Sequence, residues 1–446
     1  MMRTEFRSDL LGERYRLIRH ETGLRIYVFP KKMTTTYALL ASAYGSLDYA
    51  ALTGGKKESF PDGVAHFLEH KLFENEDGSD AFAHFSAIGA DANAYTTYNR
   101  TAYLFSCTEQ FTPALEELLR FVTHPHFTEE SVEREKSIIA EEIRMYEDSP
   151  WERVFQELLR AMYREHPVRR SICGTVRSIG RITPSLLYRA HELFYHPSNM
   201  VLVVCGDVAE DEILTTVDRT LYDLPAAPME MTRIKPREDG PVYRSYTETE
   251  MQVSKPIFCI GIKDPALPDA TDARLRRDLS MTLLNEILFS QSGAFYSELF
   301  EEGLITPSFS HGYSVTEGFG FNCLTGESDE PERVEARLWK YLEQMAECGI
   351  DDEAFQRARR VLYADEVRAY DSTEEIANRL LSFVLEGGEM LAVPDVIRSI
   401  TREELDDLLR TFYQKDKSTL SVVRPLRLKN EKEECSKEEN HNGNEN

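Results

Sequence analysis

Two histidines four residues apart, with a glutamate directly before the second, stand in the segment Gly63-Val-Ala-His66-Phe-Leu-Glu69-His70. On a helix, positions i and i+4 share a face, so His66 and His70 can reach one cation while Glu69 stands on the flank of that face. Neutral imidazoles are metal ligands, and a neighbouring carboxylate is a base for a water beside the metal. The order His-x-x-Glu-His inverts the commoner His-Glu-x-x-His and still leaves the carboxylate next to the cation. Composition alone gives about 0.03 such pentamers in a chain of this length, so chance is a poor explanation. The plain alternative is a surface helix whose histidines solvate or cap.

A catalytic zinc takes three protein ligands and leaves a fourth position open for water, so a third donor is expected downstream. The best candidate is Glu142, in the stretch Glu133-Arg-Glu135-Lys-Ser-Ile-Ile-Ala-Glu141-Glu142-Ile-Arg-Met-Tyr146. The spacing predicts a helix with Val132, Ile138, Ile139, Ile143 and Tyr146 as its apolar positions. Glu135 and Glu142 are seven apart (142 − 135), two turns on nearly the same face, so one can ligate while the other orients the site from behind. Glu141 points about a third of a turn away. A solvated acidic face is the usual meaning of a single Glu in such a run, and only the upstream histidines argue for more.

The elements that must hold these residues follow from periodicity and turn signals. A hairpin is expected from Tyr15–His20 and Leu24–Phe29 around Glu21-Thr-Gly23, then a strand over 36–44 and the histidine helix. Strands at about 92–98 and 101–107 come next, then helices near 112–122, 129–147 and 150–164, a strand over 200–204 and a helix from about 209. Mixed elements of this kind predict an α+β architecture. The Pro-rich polar run from Pro225 to Pro241 reads as a linker, dividing an N-terminal domain (1–225), a linker (226–241) and a C-terminal domain (242–428) from an acidic tail (429–446) expected to be disordered.

These segments together resemble the insulinase/pitrilysin family of zinc metallopeptidases, nearest to its bacterial YmfH-like branch. Gly63–Glu74 resembles the family's ligand helix, Gly89–Thr96 with Thr101–Phe105 its next two strands, and Glu133–Glu142 the helix giving the third ligand. The resemblance implies one Zn2+ per chain on His66, His70 and Glu142, Glu69 as general base, and Glu135 as supporting acid. It also implies that Asn93 and Ala94 sit on the edge strand that receives substrate backbone, the substrate being a peptide or unfolded polypeptide segment entering extended. Two related α+β halves, each an antiparallel sheet packed with helices, would form a clamshell around a cavity, with the metal-free half holding peptide. Other implications are a homodimer or a heterodimer with a metal-free homologue, and, as an alternative to peptidase activity, a noncatalytic or partner-dependent subunit. One departure stands out: where relatives carry an Arg and then a Tyr that contact substrate, this chain has Leu299-Phe-Glu-Glu-Gly-Leu-Ile-Thr306 with neither, leaving His311 or Tyr313 as possible substitutes.

An internal repeat fits two halves. Glu142-Ile-Arg-Met-Tyr-Glu-Asp-Ser149 aligns without gaps on Glu366-Val-Arg-Ala-Tyr-Asp-Ser-Thr373, an offset of 224 (366 − 142). At that offset His66, Glu69 and His70 fall on Ser290, Gly293 and Ala294, and Glu135 falls on Arg359, so the second half cannot hold zinc in this way.

Composition bounds the rest. A chain of 446 residues with 41% hydrophobic content exceeds a single core and has apolar material for more than one. No apolar run approaches the ~18 residues of a membrane span and the start lacks a signal-peptide core, so a soluble cytoplasmic protein is expected. A formal charge of −25 argues against nucleic acid as a partner. Seven cysteines with no Cys-x-x-Cys pair predict neither a disulfide framework nor a thiolate zinc site. His124-Pro-His126 reads as a turn, and His84, His191 and His196 as packing or capping residues.

Overall fold

The computed structural model describes residues 2–76, 78–224 and 228–426; the tail expected from 429 lies outside them. Two mixed sheets form the frame. The larger has seven strands in the order Met2–Ser8, Glu13–Arg19, Arg25–Pro30, Met200–Gly206, Thr36–Ser42, Thr101–Cys107 and Asp91–Thr96. The second has five, in the order Tyr246–Met251, Ser418–Pro425, Ile257–Lys263, Phe319–Glu327 and Ser310–Thr316. Neither is purely antiparallel: Arg25–Pro30 runs parallel to Met200–Gly206, and Tyr246–Met251 runs parallel to Ser418–Pro425.

These two parallel pairings occupy equivalent places. Strand for strand, the five positions of the first sheet from Arg25–Pro30 onward repeat in the second sheet with the same directions. The helices repeat as well. Helices Glu129–Asp148 and Pro150–Met162 shift by the offset of 224 onto 353–372 and 374–386, where the structure has Asp352–Arg368 and Thr373–Glu386. The chain is therefore two α+β halves built on one plan.

The halves exchange helices. Ile376, Ala377, Leu380 and Leu381 of Thr373–Glu386 are buried in one cluster with Tyr27, Phe29, Leu39 and Val203 of the first sheet. In return Val154, Leu158, Leu159 and Met162 of Pro150–Met162 are buried with Ile257, Cys259, Phe321 and Val423 of the second sheet. Each sheet thus has one face closed by its own helices and the other by a helix of the opposite half. Between the halves, the Tyr95 hydroxyl donates to Asn378 Oδ1 at 3.0 Å and the Arg100 guanidinium to the Ser382 hydroxyl at 3.0 Å.

Several expectations change. The strand Met2–Ser8 was not foreseen, because it is an exposed edge with charges where alternation would place apolar residues. The run read as a linker makes contacts the sequence does not signal: Thr232–Arg233 pairs with Ala51 and Leu52, Arg233 binds Asp48 and Asn199, and Glu238 accepts the backbone N–H groups of Arg164, Glu165 and His166. In helix Glu129–Asp148, Val132, Ile139 and Ile143 are buried as expected, but Ile138 and Tyr146 are 50% and 40% exposed. Ile138 lies about 100° off the buried stripe, whereas Tyr146, seven residues after Ile139 on nearly the same face, opens into a cavity beside Glu142.

Candidate metal centre

The histidine helix runs from Val64 to Leu72 and starts on Gly63, whose φ of 94° lies in the left-handed region. A Cβ there would also lie 2.5 Å from the Cys173 carbonyl oxygen, so glycine is required by both conformation and space. Phe67, Leu68 and Leu72 are buried in the first core and fix the helix rotation, which sends His66 and His70 to the opposite flank. At its end Lys71, fully buried, donates to Glu74 at 2.5 Å, and Glu74 also takes Arg134 of helix Glu129–Asp148 at 2.8 Å. That tie holds the two helices together beside the site.

Three donors converge. His66 Nε2 lies 3.5 Å from Glu142 Oε1, and His70 Nε2 lies 3.4 Å from Glu142 Oε2. The donor atoms of His66, His70 and Glu142 fall within 4.8 Å of one another, the only such group of metal-ligating side chains found among the described residues. A tetrahedral cation with bonds of about 2.0–2.2 Å sets its ligands about 3.4 Å apart, so the 3.5 Å and 3.4 Å from the two imidazoles to Glu142 suit one small divalent ion. Glu142 Oε2 is buried and has no hydrogen-bond donor, which also fits a carboxylate whose partner is a cation.

Behind the donors sits an outer layer. Glu135 Oε1 is 3.0 Å from His70 Nδ1, the nitrogen turned away from Glu142. The Thr96 hydroxyl, on the edge strand Asp91–Thr96, donates to Glu69 Oε2 at 2.5 Å. The Cys173 sulfur lies 3.8 Å from His66 Nε2 but is no part of the three-donor group, and burial pushes its thiol up to about 12. Glu141 faces solvent and pairs with Arg144. His66, Glu69, His70, Thr96, Glu142 and Cys173 line one cavity of about 530 Å³ together with Ala94, Tyr95, Tyr146 and Phe155.

The electrostatics separate the carboxylates. Burial raises the Glu69 carboxyl above its ordinary range, against the Thr96 hydrogen bond and the two imidazoles. Glu142 is lowered, first by its hydrogen bond from His66 and then, against burial, by the charges of both histidines. For His70, burial acts to lower the value but is outweighed by the hydrogen bond and charge of Glu135 with Glu142 and Glu69, so the net shift is upward. One carboxylate is thereby kept ready to accept a proton while the other stays anionic.

The sequence is matched over residues 54–176 by the family described as Insulinase (Peptidase family M16) and over 181–362 by the Peptidase M16 inactive domain. It is 40% identical over 407 residues, 90% of this chain and 95% of the relative, to a protein of Bacillus subtilis (strain 168) described as the uncharacterized zinc protease YmfH. The chain belongs to the M16 peptidase family. A solved M16 relative, a putative M16-like peptidase from Alicyclobacillus acidocaldarius, superposes with a TM-score of 0.88 at 36% identity, covering 92% of this chain and 98% of that one. A protease from Helicobacter pylori shares the fold, with a TM-score of 0.79 at 17% identity over 93% of this chain and all of that one. No helix among the described residues is long and apolar enough to cross a membrane.

Other M16 expectations are placed as follows. Asn93 and Ala94 lie on Asp91–Thr96, an outer strand of the seven-stranded sheet. The Ala94 N–H donates to the Asn93 side-chain oxygen at 2.8 Å, so that donor is turned away from the neighbouring strand. Of the two suggested substitutes in the second half, Tyr313 donates its hydroxyl to Asp264 at 2.6 Å and His311 packs near Phe289, and neither lines the 530 Å³ cavity. His196 is buried and caps Ser198 N–H; His191 is half-buried and bound to the Val122 carbonyl; His84 is paired with Glu117. His124 follows a helix end as the turn reading expects, and its ring faces Asp223. Sequence reasoning missed Thr96 and Cys173 as neighbours of the site: Thr96 is legible only as the end of Asn93-Ala-Tyr-Thr96, and nothing in the sequence near Cys173 signals its approach to His66.

Proposed function

We propose that this M16 chain is a zinc endopeptidase acting on peptides or unfolded polypeptide segments. The observation that carries the reading is the convergence of His66, His70 and Glu142 within 4.8 Å, in a cavity that also holds Glu69. His66, His70 and Glu142 hold one Zn2+, which when bound supplies Lewis acidity toward a peptide carbonyl and toward water. Glu69, its carboxyl raised by burial, accepts the proton of the attacking water and returns it to the leaving amine. Thr96 fixes the Glu69 carboxylate by its hydroxyl, and Glu135 fixes the His70 ring through Nδ1.

Substrate enters extended along Asp91–Thr96, where main-chain hydrogen bonds give affinity with little sequence preference. An incoming carbonyl displaces the Asn93 side chain from the Ala94 N–H. The domains are those of the sequence reading, a zinc-binding N-terminal unit and a metal-free C-terminal one. Purified chain with one equivalent of zinc should cleave a quenched peptide in a chelator-sensitive way. Cleavage that requires addition of a metal-free homologue would instead make this chain the catalytic subunit of a heterodimer, and stoichiometric zinc without cleavage in either case would rule the peptidase reading out.

A further inference from the structure

The second half holds a pair of thiols that the metal centre does not use. Cys259 lies on Ile257–Lys263 and Cys323 on Phe319–Glu327, adjacent antiparallel strands of the five-stranded sheet. Cys259 is opposite Thr325 and Cys323 is opposite Gly261, so the two cysteines are diagonal neighbours on one face. Their sulfurs are 2.8 Å apart, inside the ~3.5–4.0 Å at which nonbonded heavy atoms rest. A disulfide bond is about 2.05 Å long, so the sulfurs must approach by under about 1 Å, and because diagonal neighbours sit ~7–8 Å apart the two strands must also draw slightly together. Cys259 is buried and Cys323 is partly exposed. The same face carries helix Pro150–Met162: a Cβ at Gly261 would meet Met162 Sδ at 2.5 Å and Leu158 at 2.8 Å. Phe155 and Gln156 of that helix wall the metal cavity.

We propose that Cys259 and Cys323 form an oxidation site that closes to an intramolecular disulfide with small-molecule disulfide oxidants, tying two central strands beneath the helix that walls the metal cavity. Cys323, the more accessible thiol, loses its proton and attacks one sulfur of the oxidant, releasing one small thiol and leaving a mixed disulfide. Cys259 loses its proton, attacks the Cys323 sulfur and releases the second small thiol. Two protein thiols are oxidised by two electrons and one oxidant molecule is reduced to two thiols.

The test is incubation of the folded full-length chain with oxidised glutathione, then alkylation and peptide mapping without reductant. The expected result is loss of two hydrogens from the intact mass, a linked Cys259–Cys323 peptide pair, and return of both thiols with dithiothreitol. In Cys259→Ser the second step is removed, so Cys323 should accumulate as the glutathione adduct. Recovery of Cys259 and Cys323 as alkylated thiols from the oxidised wild-type chain, or a lasting glutathione adduct on its Cys323, would overturn the proposal.

Discussion

The Glu135 carboxylate lies 3.0 Å from His70 Nδ1, while the opposite ring nitrogen of His70 faces Glu142 at 3.4 Å. One imidazole is therefore held between two carboxylates, the proposed orienting acid and the proposed ligand. Replacing Glu135 by Gln keeps the shape but removes the charge that fixes the ring and raises its basicity. Zinc affinity should fall about 10- to 100-fold, measured by competition with a chromophoric chelator, with the circular dichroism spectrum unchanged. Unchanged affinity would show that Glu135 does not support the metal.

Glu69 stands beside the three donors without belonging to them. Glu69→Gln should retain one zinc per chain by elemental analysis and lower peptide cleavage by at least ~10²–10⁴-fold, the range of a lost general base. Turnover equal to the wild type would remove Glu69 from the chemistry.

Thr96 lowers the Glu69 pKa by donating its hydroxyl, against the larger raising effect of burial. Thr96→Val removes that donor, so the Glu69 carboxyl should titrate higher still. A base works only when deprotonated, so the acidic limb of the kcat/KM profile should move to higher pH. A limb that stays in place would assign that ionisation to another group.

In the proposed site His70 would bind zinc only as neutral imidazole, and its neighbours hold its proton more tightly than usual. Zinc affinity should therefore weaken as pH falls through a value above the ordinary histidine pKa of about 6.5. The same group gives the metal-free fold stability that is full below about 6.5 and is lost as pH rises through the raised folded value. In Glu135→Gln both midpoints should shift to lower pH, as followed by zinc titration and by urea unfolding.

Leu158 is fully buried, yet it lies on a first-half helix and packs against the second sheet. Leu158→Ala should cost about 2–5 kcal/mol and lower the melting of both halves together in calorimetry. A new, separate transition for one half would mean that the exchanged helices do not couple them.

The grouping of His66, His70 and Glu142 was more legible than the wall around it. His66, Glu69 and His70 announce themselves because helical spacing converts directly into a shared face, and Glu142 followed from what zinc still lacked. The elements near them were also readable, since Val132, Ile139 and Ile143 carry a helical period and the strand over 101–107 an apolar run. What escaped depends on contacts between distant segments. Arg233 holding Asp48 and Asn199, Cys173 reaching His66, and Thr96 reaching Glu69 leave no local pattern, because each side chain is ordinary in its own stretch. Ile138 shows the converse: an apolar residue about 100° off the buried stripe of Val132, Ile139 and Ile143 faces water.

The traded helices also set how this polypeptide can be cut. A fragment ending near residue 224 would keep the metal donors but lack Ile376, Leu380 and Leu381, baring Phe29, Leu39 and Val203 to solvent. The complementary piece would in turn lack the cover over Ile257 and Val423. Neither fragment should be soluble by itself, while co-expression of the two should rebuild the full assembly by complementation, so the duplicated unit survives in this molecule only as half of a pair.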